Sequence, residues 1–307
     1  MSDIEDQDVT KLASVDIGSN AIRLMLCNVY EGDSEPLFKK VELIRFPLRL
    51  GEDSFLKGYI TDDTLEKLIS VMSAFKLMIG AFQAEAYRIC ATSAMREAQN
   101  REEVIRKVFE RTGMVIEIIE GRMEAEIIYS NHIAEKLEES NSYLYIDVGG
   151  GSTEITLFSN ANYQTSCSYN IGTIRLLHHK VDKESWRNFK DEVKSLCEHY
   201  QPLVGIGSGG NINKIFKMTG KKDNRYLTYG KLKDSYNYVK GFTIEQRIKE
   251  LKLNPDRADV IIPAFRIFLA VMKAGNIDKI MVPQIGLSDG IIHQIYENYK
   301  LNEFQDQ

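Results

Sequence analysis

The residue types best suited to chemistry in this chain gather at glycine turns that follow an aspartate. Val15-Asp16-Ile17-Gly18-Ser19-Asn20 forms the first such group, and Ile146-Asp147-Val148-Gly149-Gly150-Gly151-Ser152-Thr153-Glu154 repeats its grammar 131 positions later (147 minus 16). Glycine reaches the backbone angles that let consecutive N–H groups converge on one anion, so turns of this composition suit phosphate. Ser19, Ser152 and Thr153 are placed to add hydroxyl donors. A third cluster, Gly205-Ile206-Gly207-Ser208-Gly209-Gly210, puts Gly209 and Gly210 at an expected helix N-terminus, where unsatisfied N–H groups suit a more distal phosphate. An aspartate beside a phosphate repels it unless a divalent cation lies between. Asp147 and Glu154 bracket the second turn and make a candidate hard-cation site; the alternative is that Asp147 closes the turn by accepting backbone hydrogen bonds.

These groups need elements to hold them. Residues 12–30 read as a hairpin around Gly18-Ser19-Asn20, with Ile22, Leu24 and Leu26 alternating onto one face, and a third strand is expected from Pro36 to Leu50. Thr61-Asp62-Asp63-Thr64 supplies N-cap chemistry for a helix to about Phe82, with Leu65, Leu68, Ile69, Met72 and Phe75 at helical spacing. A strand at Ala86–Ala91, a helix at Arg101–Thr112, a strand at Val115–Ile119 and a helix at Glu120–Lys136 follow. After a polar joint at 138–142 the order restarts: strands at Tyr143–Asp147, Glu154–Phe158 and Ser166–Ile171, a helix at Lys183–Tyr200, a strand at Pro202–Gly207 and a helix at about Asn211–Met218. Further helices are expected at Thr243–Leu251, Ala258–Ala274 and Asp289–Tyr299. The pattern predicts two α/β halves with mixed sheets.

The 307 residues suffice for two domains, and 43% hydrophobic with 27% charged residues is the composition of an ordinary soluble protein. No apolar run reaches the roughly 18 residues of a membrane span, and the acidic start Met1–Asp8 is unlike a secretory signal. The four cysteines are dispersed, and His178-His179 is adjacent rather than at ligand spacing, so neither a disulfide framework nor a zinc site is indicated. A cytoplasmic location is expected. A net charge of −5 argues against broad nucleic-acid binding. It allows a local basic lane, with Lys217, Lys221, Lys222 and Arg225 as one candidate and Arg96, Arg101, Arg106 and Lys107 as another; each is equally readable as a solvated helix face.

The grammar resembles the superfamily of acetate and sugar kinases, heat-shock chaperones and actin, and within it the exopolyphosphatase / guanosine pentaphosphate phosphatase family (Ppx/GppA). The carrying segments are 13–24, Ala91-Thr92-Ser93-Ala94-Met95-Arg96-Glu97-Ala98, Ile119-Glu120-Gly121-Arg122-Met123-Glu124-Ala125-Glu126, 146–154, 169–176 and 257–263, in family order along nearly the whole chain. The resemblance implies two actin-like (ribonuclease H-like) domains, at 1–128 and 129–288, with a C-terminal helix about 289–303 packing back on the first and an interdomain active-site cleft. It also implies a homodimer. It makes Glu124 the catalytic base, a role a carboxylate can fill by deprotonating water for in-line attack on phosphorus. Glu126, about 200° away round a helix, and Glu120 are the rival carboxylates. Arg96 is implied as a catalytic phosphate clamp, with Thr92 and Ser93 as donors, and Asp16, Gly18, Ser19, Asn20 and Arg23 as the first phosphate turn; Arg23 alternates into a strand and is also placed to pair with a carboxylate.

Three departures from the family pattern bear on substrate: Ala21 in place of a frequent serine, Asn211 in place of threonine, and Ser288-Asp289 in place of Arg-Glu. The implied activity is Mg²⁺-dependent release of terminal orthophosphate from linear polyphosphate, with Mg²⁺ or another divalent cation at Asp147/Glu154. The same chemistry on guanosine pentaphosphate is the near alternative. A kinase of the superfamily and a catalytically weak polyphosphate or alarmone sensor are the more distant ones.

Overall fold

Alternating apolar residues in the first 50 positions build three antiparallel strands. In the computed structural model, which describes residues 9–31, 35–129, 141–160, 162–219, 226–283 and 285–305, these are β1 (Val9–Ile17), β2 (Ile22–Tyr30) and β3 (Leu37–Phe46). β3 stops short of the expected Leu50 because Arg49 turns into the left-handed region (φ 58°) and opens α1 (Leu50–Lys57), a helix the apolar run concealed. α2 (Asp62–Phe82) buries Leu65, Leu68, Ile69, Met72 and Phe75 along one face, as its spacing predicts. Each such side chain contributes about 1.5–3 kcal/mol by leaving water. Then come β4 (Ala86–Ala91), α3 (Ser93–Glu97), α4 (Arg101–Thr112), β5 (Glu117–Ile118) and α5 (Gly121–Tyr129). The expected continuation of α5 to Lys136 lies outside the described residues, as do Met1–Asp8 and most of the polar joint.

The second set begins with β6 (Ser142–Val148), β7 (Thr153–Ser159) and β8 (Asn162–Tyr169), followed by α6 (Thr173–Leu177), α7 (Lys183–Cys197), β9 (Leu203–Ser208) and α8 (Gly209–Thr219). β10 (Tyr226–Thr228), α9 (Tyr229–Lys240), α10 (Ile244–Lys249), α11 (Pro255–Ala258), α12 (Ile261–Ala274) and β11 (Lys279–Met281) complete it. α10 starts on a reciprocal capping box between Thr243 and Gln246. α13 (Leu287–Gln305) lies against β1, β2 and β4.

The chain divides into two compact units. Unit 1 holds residues 1–120, 126–131 and 287–307, and unit 2 holds 121–125 and 132–286. The sheet of unit 1 runs β3-β2-β1-β4-β5, and that of unit 2 runs β10-β11-β9-β6-β7-β8. Read from β8 inwards, the second repeats the first with β10 added at the edge. The directions repeat too: two antiparallel pairings, then two parallel ones, in each sheet. Both units are actin-like (ribonuclease H-like) α/β domains with mixed sheets. Each has its own apolar core, centred on Leu24, Leu68 and Met72 in unit 1 and on Leu144, Phe265 and Phe268 in unit 2.

Candidate active site

The two glycine turns have one geometry. Gly18 N–H donates to Ala21 O at 3.1 Å, and Gly149 N–H donates to Ser152 O at 3.0 Å. A Cβ on either glycine would meet that same carbonyl at 3.2 Å. In both units the segment after the third strand braces the turn. Gly51 N–H reaches Ser19 O at 2.8 Å and Arg49 N–H reaches Asn20 O at 3.0 Å. The second turn is held more completely: Gly149 O accepts from Thr173 N–H (3.0 Å) and Gly150 O from Ile174 N–H (2.9 Å). Gly149 O also accepts from the Thr173 hydroxyl, and Gly151 O accepts from Arg175 Nε at 2.7 Å. Three consecutive carbonyls thus point at the start of α6. A trans peptide sets its N–H opposite its C=O, so the N–H groups of Gly150, Gly151 and Ser152 face the other way, side by side, as an anion nest requires.

Thr153 departs from expectation. Its fully buried hydroxyl donates to Ile171 O and secures the strand end, so that proton is not offered at the turn. Ser152 is buried at the turn itself.

Asp16 and Asp147 occupy matching positions with opposite neighbours. Asp16 pairs in register with Arg23, and their side chains form an ion pair. The counter-charge of Asp16 is therefore a side chain of the protein itself. In unit 2 the equivalent register partner of Asp147 is Glu154, flanked by Ser208 and Ser168 on the adjoining strands. Ser168 Oγ donates to Glu154 Oε1 at 3.1 Å.

Directly opposed residues of an antiparallel pair share one face, so two carboxylates stand together at this sheet end. Among the described residues no group of three or more His, Cys, Asp or Glu could hold a metal. A two-carboxylate set fits Mg²⁺, which takes one or two carboxylates and fills its remaining positions with water and phosphate oxygens.

The start of α5 lies against this pair. A Cβ on Gly121 would meet Ser168 Oγ at 3.1 Å and Glu154 Oε1 at 4.0 Å. Glu124, in the first turn of α5, is buried at 9% exposure, whereas Glu126 is exposed. Of the rival carboxylates on this helix, only Glu124 has been taken out of bulk water.

The third turn closes over the same sheet end. Gly209 adopts φ +89°, and a Cβ there would lie 2.7 Å from Asp147 Oδ1. Arg257 donates to Gly210 O and lies where a Cβ on Gly210 would go. Lys214, one turn on in α8, has its pKa lowered by burial and then by the nearby charges of Arg257 and Lys217. Positive charge is therefore concentrated beside this turn.

In unit 1, Thr92 and Ser93 open α3 next to the first turn: Ser19 Oγ and Ser93 Oγ are 2.8 Å apart, and Thr92 N–H donates to Ile17 O at 3.1 Å. Arg96 donates to Ile119 O at 2.6 Å and stands 3.9 Å from Glu120. Its fork retains further donors, since a guanidinium has five. The basic residues of α4 form a solvated face, with Arg106 on Glu110 and Lys107 on Glu103 at one-turn spacing. Lys221, Lys222 and Arg225 lie outside the described residues.

Sequence reasoning assigned no role to Arg175, Thr173, Arg257 or Ser168. The two arginines sit in segments that carry the resemblance, which was the available signal, but their partners are backbone carbonyls 24 and 47 residues away.

Each of the two actin-like units thus carries a glycine turn braced by hydrogen bonds, and a carboxylate pair stands beside the second. The profile of the Ppx/GppA phosphatase family matches residues 29–299, and the chain belongs to that family. It is 28% identical to a bifunctional 3-dehydroquinate synthase/phosphatase of Fusobacterium nucleatum over 93% of this chain and 46% of that protein. It is 23% identical to a putative exopolyphosphatase of Haemophilus influenzae, over 97% of this chain and 95% of that one. A guanosine-5'-triphosphate,3'-diphosphate pyrophosphatase of Photobacterium profundum is 23% identical over 95% of this chain and 61% of its own length. The chain thus spans about half of the first of these relatives and under two thirds of the third. The crystal structure of an exopolyphosphatase from Cytophaga hutchinsonii shares the fold, with a TM-score of 0.83 at 19% identity over 94% of this chain and 98% of that one.

Proposed function

We propose that this chain is a metal-dependent phosphohydrolase that releases terminal orthophosphate from linear polyphosphate. The observation that carries the reading is the second glycine turn. Its carbonyls are all directed at α6, its N–H groups face away from α6, and the carboxylate pair and the start of α5 lie at the same sheet end. In this reading the N–H groups of Gly150, Gly151 and Ser152 hold a phosphate, and Gly209 and Gly210 at the start of α8 hold a more distal one. Asn20 and Arg23 at the first turn, with Thr92, Ser93 and Arg96 near it, are unit 1's own phosphate donors. Glu124 accepts a proton from a water whose oxygen bonds to the terminal phosphorus, while the bond from that phosphorus to the bridging oxygen breaks and leaves on the shortened chain. Mg²⁺ held by Asp147 and Glu154 would neutralise phosphate oxygens as charge develops.

The same chemistry on guanosine pentaphosphate is the second reading, favoured by the Photobacterium relative, whose name specifies such a nucleotide. A cytoplasmic homodimer belongs to the proposal on the family resemblance. Orthophosphate release from the two substrates, measured side by side with Mg²⁺ and with EDTA, tests the activity, and gel filtration with light scattering tests the dimer. Mg²⁺-dependent release that falls at least a hundredfold in Glu124→Gln is expected, and the ratio of rates names the substrate. Near-wild-type release by Glu124→Gln would remove Glu124 from the base role.

A further inference from the structure

The row of residues that crosses each sheet beside its glycine turn differs in charge between the two units. In unit 1, Asp16 on β1 is opposed by Arg23 on β2, and Arg23 by Arg45 on β3. In unit 2 the same three strand positions hold Asp147 on β6, Glu154 on β7 and Ser168 on β8. Directly opposed residues of antiparallel strands share one face. The duplicated frame therefore sets two arginines beside its first aspartate, and a carboxylate with a neutral hydroxyl beside its second.

Ser168 Oγ donates to Glu154 Oε1 at 3.1 Å. Glu154 is only 3% exposed, whereas Ser168 lies at the surface. A buried carboxylate depends on the donors that reach it, because bulk water does not replace them. The start of α5 crowds the same serine: a Cβ on Gly121 would lie 3.0 Å from Ser168 Cβ and 3.1 Å from its Oγ. The backbone there leaves the hydroxyl few rotamers. Gly121, Glu154 and Ser168 all belong to unit 2. A serine donates a hydrogen bond without adding charge. We propose that Ser168 is a positioning residue for Glu154: it fixes the orientation of the carboxylate and leaves the negative charge of the Asp147/Glu154 pair to a divalent cation. The proposal rests on the reading of that pair as the Mg²⁺ site. Donors to metal-ligating groups typically govern affinity by about 10- to 100-fold, and the exposure of Ser168 puts it at the lower end.

The test is Mn²⁺ titration of the full chain without phosphate substrate, read by the electron paramagnetic resonance of the free ion, with Mg²⁺ as competitor. Ser168→Ala is expected to weaken both ions about 10-fold, and Ser168→Thr, which keeps the hydroxyl, to stay within about threefold of wild type. Ser168→Arg, which gives this row a cation as in unit 1, should weaken binding further than alanine does, because the added charge competes for the pair. The control is Ser166→Ala. It removes another hydroxyl contact of the same strand pair, Ser166 with Thr156 at 3.0 Å, and should leave affinity unchanged. Wild-type affinity in Ser168→Ala, or an equal loss in Ser166→Ala, would overturn the role of Ser168 and leave the metal site standing. No binding by the wild type, or binding that Glu154→Gln leaves unchanged, would instead remove the metal site from this pair and the role of Ser168 with it.

Discussion

Gly172, at the start of α6, is the position where one methyl group tests the whole account of the second turn. Its backbone is extended (φ −128°, ψ 170°), a conformation open to any residue, so strain is not the reason for glycine. The reason is space: a Cβ would lie 2.3 Å from Gly150 O and 2.4 Å from both Gly150 C and Gly151 C. Reaching ordinary contact at 3.4 Å requires the turn and α6 to separate by about 1.1 Å. The bonds from Thr173 N–H, Ile174 N–H and Arg175 Nε, now 3.0, 2.9 and 2.7 Å, would stretch to about 4 Å, beyond hydrogen-bonding range. Overpacking of this kind costs roughly 1–3 kcal/mol. With partial resolvation of the freed carbonyls, Gly172→Ala should lose about 3 kcal/mol of stability and roughly 6–12 °C in Tm. Released from α6, the three peptide units no longer present their N–H groups together, and a misplacement near 1 Å is worth about 100-fold in kcat/KM. Thermal melts and orthophosphate release, with Gly230→Ala as control because no heavy atom lies within 4 Å of its Cβ position, read both numbers. A Gly172→Ala protein within threefold of wild-type activity and 2 °C of its Tm would refute the claim that α6 sets the turn.

Two further outcomes follow from other parts of the fold. Burial of Asp53 acts to raise its pKa, but hydrogen bonds from Lys57 and Thr61 outweigh it and hold the carboxyl at about 2, against 3.8 in the unfolded chain. A depressed folded pKa contributes stability above the unfolded value that fades as pH falls towards the folded one. Because Lys57 is solvated, the contribution is discounted to roughly 1–2 kcal/mol. Urea titrations should therefore show Asp53→Asn weaker than wild type by that amount at pH 7, with the gap closing between pH 4 and pH 2; a gap independent of pH would count against stabilisation by the ionised carboxylate. Gly80, inside α2 with no heavy atom within 4 Å of its Cβ position, should accept alanine with a gain of about 0.5–1 kcal/mol in the same titration, and a loss would show a constraint the helix does not reveal.

The sequence by itself determined the local chemistry. Gly18 and Gly149 hydrogen-bond only three residues ahead, and α2 places its apolar residues one turn apart, so composition and spacing over a few residues specify both. The repetition of the turns at Asp16 and Asp147 likewise announced a duplicated fold before any contact was known. That Asp16 faces Arg23 while Asp147 faces Glu154 was legible as well, because a short turn sets the register of the hairpin it closes. Tertiary structure alone decided what braces each turn. That Arg175 and Arg257 hold carbonyls, Ser168 holds Glu154 and Gly172 admits a neighbouring backbone depends on segments brought together over 14 to 47 positions (168 minus 154 and 257 minus 210). A residue type records that a guanidinium or a missing Cβ is available. Only the packing of the chain selects the atom it meets, because contacts at such separations are set by the summed burial of many side chains and by no local preference.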